Sequence, residues 1–234
     1  MKRKYLQVEG LRLRLDKRKT YKNIRIRVIP PHGDLAATCP EYISDKMIKA
    51  SVKKNIDQIK KTIAQQEKAY GHLIQTYEDG SICRIFGKDY KLRLEKSKNN
   101  SVYINNENLF IKLKDVDSIE ERKKHLDKFL REILREKAEL LIAEYQKEMG
   151  LKVNGFTIRK MKTKWGSCNI DKKHININLD LVRHKIEALE YIVVHELCHL
   201  KEAGHGKKFY EQVEKYYPDY KRVEAYLDSQ IISG

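Results

Sequence analysis

Apolar and polar residues alternate in short runs along the first half of the chain and recur at helical spacing along most of the second. Residues 11–15, "LRLRL", alternate strictly. In residues 22–30, "KNIRIRVIP", Ile24, Ile26 and Val28 alternate with Arg25 and Arg27. Period-two patterns of this kind predict half-buried strands. "PPHGD" at 30–34 predicts a turn, with residues 34–39 returning as a second strand. Ser44 and Asp45 then offer a helix start. Ile48, Val52, Ile56, Ile59 and Ile63 follow at helical spacing, predicting one helix to about residue 70. "ICRIFG" and "KDYKLRLE" predict paired strands turning near Gly87, and "VYI" (102–104) and "LFIKL" (109–113) two more. Residues 1–115 thus read as a mostly antiparallel β-rich module with one long helix.

Ser118 and Glu121 have capping-box spacing. They open a predicted connecting helix over 116–150, with Leu126, Phe129, Leu130, Ile133, Leu134, Leu140 and Leu141 as its apolar stripe. Strands are predicted at 156–165 and 174–179 around the loop "GSCNIDKK". Helices follow at about 185–202 and to about 217, then a short one after "YPDY". The pattern predicts an α+β protein with segments 1–115, 116–150 and 151–234, and no internal repeat.

Composition narrows the class. Charged residues make up 35% of the 234 and hydrophobic ones 41%, and no apolar run reaches the roughly 20 residues that a membrane span needs. The opening "MKRKYLQVEGLRLRL" alternates too early for a signal peptide. Cys39, Cys83, Cys168 and Cys198 are scattered with no C-x-x-C pair, the pattern of a reducing compartment. We therefore expect a cytoplasmic protein with no membrane partner. The net charge is +16, of which residues 151–234 carry +4 and residues 1–150 the other +12. Such a field suits nucleic acid, nucleotide phosphates or acidic partners as well as a solvated surface, and no known DNA-binding motif accompanies it.

The candidate chemistry lies in residues 191–205, "YIVVHELCHLKEAGH". His195, Glu196 and His199 form H-E-x-x-H. On a helix, residues four apart share a face, so both imidazoles can reach one Zn²⁺ while Glu196, turned away, faces a metal-activated water as general base. Catalytic zinc takes three protein ligands and leaves one position open. His205 is the natural third, with Gly204 and Gly206 permitting the helix to break before it; Glu211 or Glu214 are the runners-up. Cys198 points away from the histidine face. The spacing resembles the metzincin signature but departs from it: Glu202 stands where that signature has glycine, and no methionine follows Met161.

"KTKWGSC" (162–168), "ININLDL" (175–181) and "YIVVHELCHL…GHGKKFY" together resemble the YgjP-like metal-dependent hydrolases, relatives of the SprT-like zinc metallopeptidases. "VIPPHGDLAATCPEYIS" and "FGKDYKLRL" extend a weaker similarity over most of the chain. The resemblance implies a C-terminal zincin-like minidomain behind a β-rich N-terminal part, one zinc on His195, His199 and His205, and Glu196 as catalytic base. Another divalent metal at that site stays open. Some members are described as UTP pyrophosphatases, so the resemblance implies either a peptide or a nucleotide substrate.

Substrate contacts are expected from Arg159, Lys162 and Lys164, ahead of Trp165, and from Lys207 and Tyr210 beyond His205. Tyr210 also fits an aromatic packing stripe with Tyr216, Tyr217 and Tyr220. Asn178 is expected to make a structural hydrogen bond near the site, and His174 and His184 to lie on the surface. Three functions follow: a zinc-dependent peptidase-type hydrolase, a nucleoside triphosphate pyrophosphatase at the same site, and a protease tethered to nucleic acid by its basic N-terminal part.

Overall fold

The structure, a computed structural model, describes residues 4–29, 34–70 and 75–230. Pro30 to Gly33 of the expected turn, with His32, and also His72 lie outside them. The chain forms two compact units that divide between Ile74 and Gln75; the segment boundary expected at 115 falls inside the second.

The first unit holds strands β1 (Lys4–Val8), β2 (Leu11–Lys17), β3 (Arg25–Ile29) and β4 (Asp34–Cys39), and helices α1 (Asp45–Lys54) and α2 (Ile56–Tyr70). The sheet runs β1-β2-β4-β3, with β2 and β4 parallel and the outer pairs antiparallel. Glu9 and Gly10 both take positive φ (50° and 75°) in the two-residue loop between β1 and β2, the geometry that matches strand twist in a tight hairpin. Alternation sorts the two faces. Leu13, Leu15, Leu35, Ala37 and Cys39 turn inward and form a core with Ile48, Val52 and Ile59 of the helices. The helix expected to run unbroken from 45 is interrupted at Asn55 (φ −110°, ψ 16°), whose side-chain amide donates to the Ser51 carbonyl at 2.8 Å. Such local bonding competes with the helical ladder.

The second unit opens with β5 (Ile82–Ile85), β6 (Lys88–Lys96), β7 (Ser101–Asn105) and β8 (Asn108–Leu113). Their sheet, β5-β6-β8-β7, repeats the strand order and directions of the first. Phe86 and Gly87 repeat its positive-φ loop, at 46° and 79°. The N-terminal half is therefore mostly antiparallel, as the sequence pattern predicts, but it is two four-stranded sheets of one topology, each with a central parallel pair, and not a single module without a repeat. Period-two alternation marks strands but does not choose their partners.

Helix α3 (Ile119–Glu148) is capped by Ser118, whose hydroxyl accepts from the Glu121 amide at 3.3 Å. Its buried stripe is Leu126, Leu130, Leu134, Ala138, Ile142 and Tyr145. Leu140 stands 65% exposed, because a residue two positions after Ala138 lies on the far side of a 3.6-residue turn. The stripe joins a core that includes Leu92, Leu109, Ile111, Ile175, Ile177 and Leu197.

The site is carried by β9 (Gly155–Arg159), β10 (Gly166–Asn169), β11 (His174–Asn178), the 3₁₀ turn Leu179–Arg183, and helices α4 (Ile186–Cys198), α5 (Lys207–Tyr216) and α6 (Tyr220–Ser229). The sheet order is β10-β11-β9. Among the described residues, no helix is long and apolar enough to cross a membrane.

His184, expected on the surface, is buried. Its ring packs edge-on to Trp165 with centroids 4.9 Å apart, and its Nδ1 lies 2.8 Å from the Tyr226 hydroxyl. Burial pushes its pKa down to about 4, against the pull of Asp180. Between the ordinary histidine value and about 4 the unfolded chain binds a proton that the folded chain refuses. Stability is thus full above the ordinary value and falls as the pH drops through this window. Melting temperatures measured from pH 7 to 4 should fall more for the wild type than for His184→Gln; equal falls would remove this assignment.

Candidate metal centre

His195 and Glu196 sit in the last turn of α4, and His199 closes it as the C-cap residue in helical backbone geometry. The chain then tightens. Leu200 donates to the Leu197 carbonyl at 3.0 Å, and Lys201 and Glu202 both to Cys198 at 2.9 and 3.0 Å. These bonds end the helix four residues earlier than the sequence pattern predicts. Neither Gly204 nor Gly206 has a positive φ or a neighbour within 4 Å of an added Cβ, so neither glycine is required by the break. Phe209, fully buried at the start of α5, packs against all three imidazoles at centroid distances of 4.5 to 4.9 Å.

The result brings His195, His199 and His205 together, with one ring nitrogen from each within 4.8 Å of the others. His195 Nε2 and His205 Nε2 are 3.1 Å apart. Two Zn–N bonds of ordinary length at a tetrahedral angle would separate their nitrogens by about 3.3 Å, so this donor set fits a tetrahedral ion. The electrostatics agree. Burial, reinforced by His199 and His205, pushes the His195 pKa down to about 3, and burial also lowers that of His199. Both rings stay neutral and keep a lone pair for a cation. Cys198 is buried in the core, and Glu211 and Glu214 are exposed and outside the cluster.

Two further contacts fix which nitrogen faces inward. His199 Nδ1 lies 3.1 Å from the Glu202 carbonyl, to which it can only donate. Tyr191 donates its hydroxyl proton to Glu224 Oε1 at 3.0 Å, leaving its oxygen to accept from His195 Nδ1 at 3.4 Å. Tyr210 also donates to Glu224, at 3.4 Å. Outer hydrogen bonds of this kind set ring orientation and tautomer in metal sites. Tyr191→Phe should therefore weaken zinc binding by the metal-stripped protein about tenfold, read by chelator competition. Unchanged affinity would make Tyr191 a packing residue only.

Glu196 is 4% exposed. Its Oε2 has no hydrogen-bond partner among the described residues, and burial raises its pKa to about 8 against the opposing pull of Lys164. The β10 backbone lies directly on it. A Cβ added at Gly166 would come within 2.5 Å of Glu196 Oε1, 2.9 Å of its Cγ and 2.8 Å of Ile192 Cγ2.

The three histidines and Glu196 line a cavity of about 420 Å³. Its other walls include Lys164, Trp165 and Gly166 through Cys168 on one side, and Glu224 and Asp228 of α6. Of the basic residues expected to contact substrate, Lys164 lines this cavity, while Arg159, Lys162 and Lys207 do not. Lys207 instead pairs with Glu211 at 3.7 Å. Tyr210 is absent from the walls too, and its ring stacks on Tyr220 at 5.6 Å. The strand expected to continue to 165 stops at Arg159, because Asn178 captures the following segment. Its amide donates to the Met161 and Lys164 carbonyls at 3.0 and 2.8 Å, and its oxygen accepts from the Met161 and Asp180 amides. "GSCN", expected in a loop, is β10 itself. Tyr191, Gly166 and Glu224 carried no spacing signal that would assign them to the site.

Residues 22–230 match the family model described as YgjP-like, metallopeptidase domain. No curated protein matches the chain. Solved structures similar over part of it include two metallopeptidase zymogens. One is the metallopeptidase zymogen abylysin of Pyrococcus abyssi (25% identity, 38% of this chain, 90% of that chain, TM-score 0.36). The other is the metallopeptidase zymogen jannalysin of Methanocaldococcus jannaschii (24% identity, 39% of this chain, 93% of that chain, TM-score 0.35).

Proposed function

Because this chain belongs to the YgjP-like metallopeptidase family, and is thereby a metal-dependent hydrolase of the peptidase type, we propose that its metal is zinc on His195, His199 and His205, that Glu196 is its general base, and that it cleaves peptide bonds. The observation that carries the reading is the pairing of three converged imidazoles with a buried carboxyl whose Oε2 is unpartnered among the described residues. A zinc ion held there would acidify a water and polarise a carbonyl.

This chain's own residues do the rest. Glu196 takes the water's proton at Oε2 and returns it to the leaving amine. A buried carboxylate on the cavity wall is placed to make both transfers. Among the described residues, strand β10 has a ladder partner on one side only. Its other edge can pair with an extended peptide through backbone hydrogen bonds, alongside the cavity that Ser167 and Cys168 line. The carboxylates of Glu224 and Asp228 in the wall favour a peptide over a triphosphate, since one lysine faces two carboxylates there.

The test offers an unstructured protein and a panel of nucleoside triphosphates to the zinc-loaded chain, to the chelated chain and to the reloaded chain. Peptide cleavage lost on chelation and restored by zinc is the expected result. Pyrophosphate release from UTP without any proteolysis would replace this reading with the pyrophosphatase one.

A further inference from the structure

The basic charge of the chain is concentrated more sharply than its halves suggest. Residues 1–74 hold 18 Lys and Arg against 7 Asp and Glu, a net +11 of the chain's +16. Much of it sits on one face of the first sheet. Alternation turns Arg12 and Arg14 of β2 and Arg25 and Arg27 of β3 away from the helices, and all four are exposed. The register sets Tyr5, Arg14, Ala36 and Arg27 in one row across the four strands. Arg25 lies opposite Thr38 in the next row toward the far end of β4. Between these flanks β4 presents the small Ala36 and Thr38, and the acid on the β2 flank, Asp16 level with Thr38, is held by Arg18.

None of these four arginines is in an ion pair among the described residues. Three of the unit's seven acids pair with other cations: Asp16 with Arg18, Asp45 with Lys4 and Lys17, and Glu9 with Lys53. The second sheet supplies an internal comparison, because the same topology is used differently. On its corresponding face Lys112 pairs with Glu95, Arg84 with Asp89, and Arg93 donates to Asn108, while Tyr103 and Phe110 stack at 5.2 Å. Three cations there find partners within the sheet, two of them carboxylates. On the first sheet the arginine charge is left open.

We propose that this arginine face of the first sheet binds single-stranded nucleic acid, with the arginines on successive phosphates and Tyr5 available to stack on a base. A row of unpaired guanidiniums is complementary to a phosphate backbone. Tyr5 is 42% exposed and already carries the Arg12 guanidinium 4.0 Å from its ring centroid, the combination of aromatic platform and cation that single strands use. An anionic membrane is a poorer match, since surface binding there also draws on inserted apolar side chains and Ile26, Val28, Leu13 and Leu15 all face the core side. The surface is separate from the hydrolytic cavity in residues and in chemistry, so it stands or falls independently of the peptidase reading.

The test is fluorescence anisotropy of the full chain with a labelled 20-nucleotide single strand, titrated over a series of salt concentrations. Arg14→Glu/Arg27→Glu should weaken binding about tenfold or more and lower the salt slope by about 1.4, roughly 0.7 per lost phosphate contact. Lys49→Glu/Lys60→Glu changes the net charge equally at two exposed helical positions and should weaken binding far less. Should the glutamate pair fail to fold by circular dichroism, Arg14→Gln/Arg27→Gln against Lys49→Gln/Lys60→Gln makes the same comparison. Equal losses from the arginine and lysine pairs would overturn the proposal. So would tighter binding of the matching duplex, or binding to phosphatidylserine vesicles without binding to the oligonucleotide.

Discussion

Replacing Glu196 with glutamine is expected to lower peptide turnover about a thousandfold, the middle of the range for loss of a positioned general base, while zinc content stays at that of the wild type. The side chain touches no ligand nitrogen, and its amide analogue has nearly the same volume, so the three imidazoles keep their places. What disappears is a carboxylate able to accept a proton at Oε2, the buried atom left without a partner. Metal analysis on the purified variant separates the two roles that the residue could have. A variant that loses zinc along with activity would make Glu196 a ligand or a support of the ligands. A variant that keeps both zinc and full activity would leave the reaction without its base and sink the mechanism. Glu196→Asp adds a geometric control: the shorter carboxylate retains the charge but withdraws it by one methylene, and displacements on this scale cost about a hundredfold in well-aligned reactions.

How much of this site can be read from the sequence depends on whether a residue's role follows from local spacing. His195, Glu196 and His199 obey a helix rule, since four residues make about one turn. His205 follows from the need for a third ligand and a chain break, although tightened 3₁₀-type bonds, not the flanking glycines, make that break. Glu224 lies on a separate helix, and nothing in its neighbourhood announces that two tyrosine hydroxyls will converge on its carboxylate. The basic run ahead of Trp165 misleads for a related reason. Alternation extends β9 through Lys164, but a single buried asparagine outbids the strand ladder by satisfying Met161 and Lys164 from its side chain. In the fold, strand positions and the hairpin partners β3–β4 and β5–β6 were legible, and the parallel partners were not. Parallel pairing of β2 with β4 and of β6 with β8 joins segments that a hairpin separates, and no local pattern encodes such a choice. The α3 stripe was legible except where leucine was mistaken for a core residue by type: Leu140 is apolar, yet Ala138 and Ile142 hold the phase of the helix.

Gly166→Ala is expected to damage both stability and activity, and the cause is one steric contact. The new methyl would stand 2.5 Å from Glu196 Oε1 and 2.9 Å from its Cγ, and 2.8 Å from Ile192 Cγ2. A mobile surface side chain would swing away from such a contact. Glu196 is buried against β10, and its Cγ is bound to the rest of α4 through one carbon only, so relief requires either a new rotamer for the carboxylate or a retreat of the strand. Overpacking of this kind costs about 1–3 kcal/mol, which for a unit of this size lowers the melting temperature by several degrees. Either form of relief also moves the carboxylate relative to the histidines, and turnover should fall about a hundredfold. The assignment is checked by a double-mutant cycle on stability. Glu196→Ala removes two of the three close contacts, so Gly166→Ala should cost distinctly less in that background, leaving only the part that Ile192 imposes. If Gly166→Ala costs the same with and without the glutamate side chain, the close approach of β10 is not what positions Glu196. The glycine of "WGSC" would then owe its place to the backbone of the strand alone.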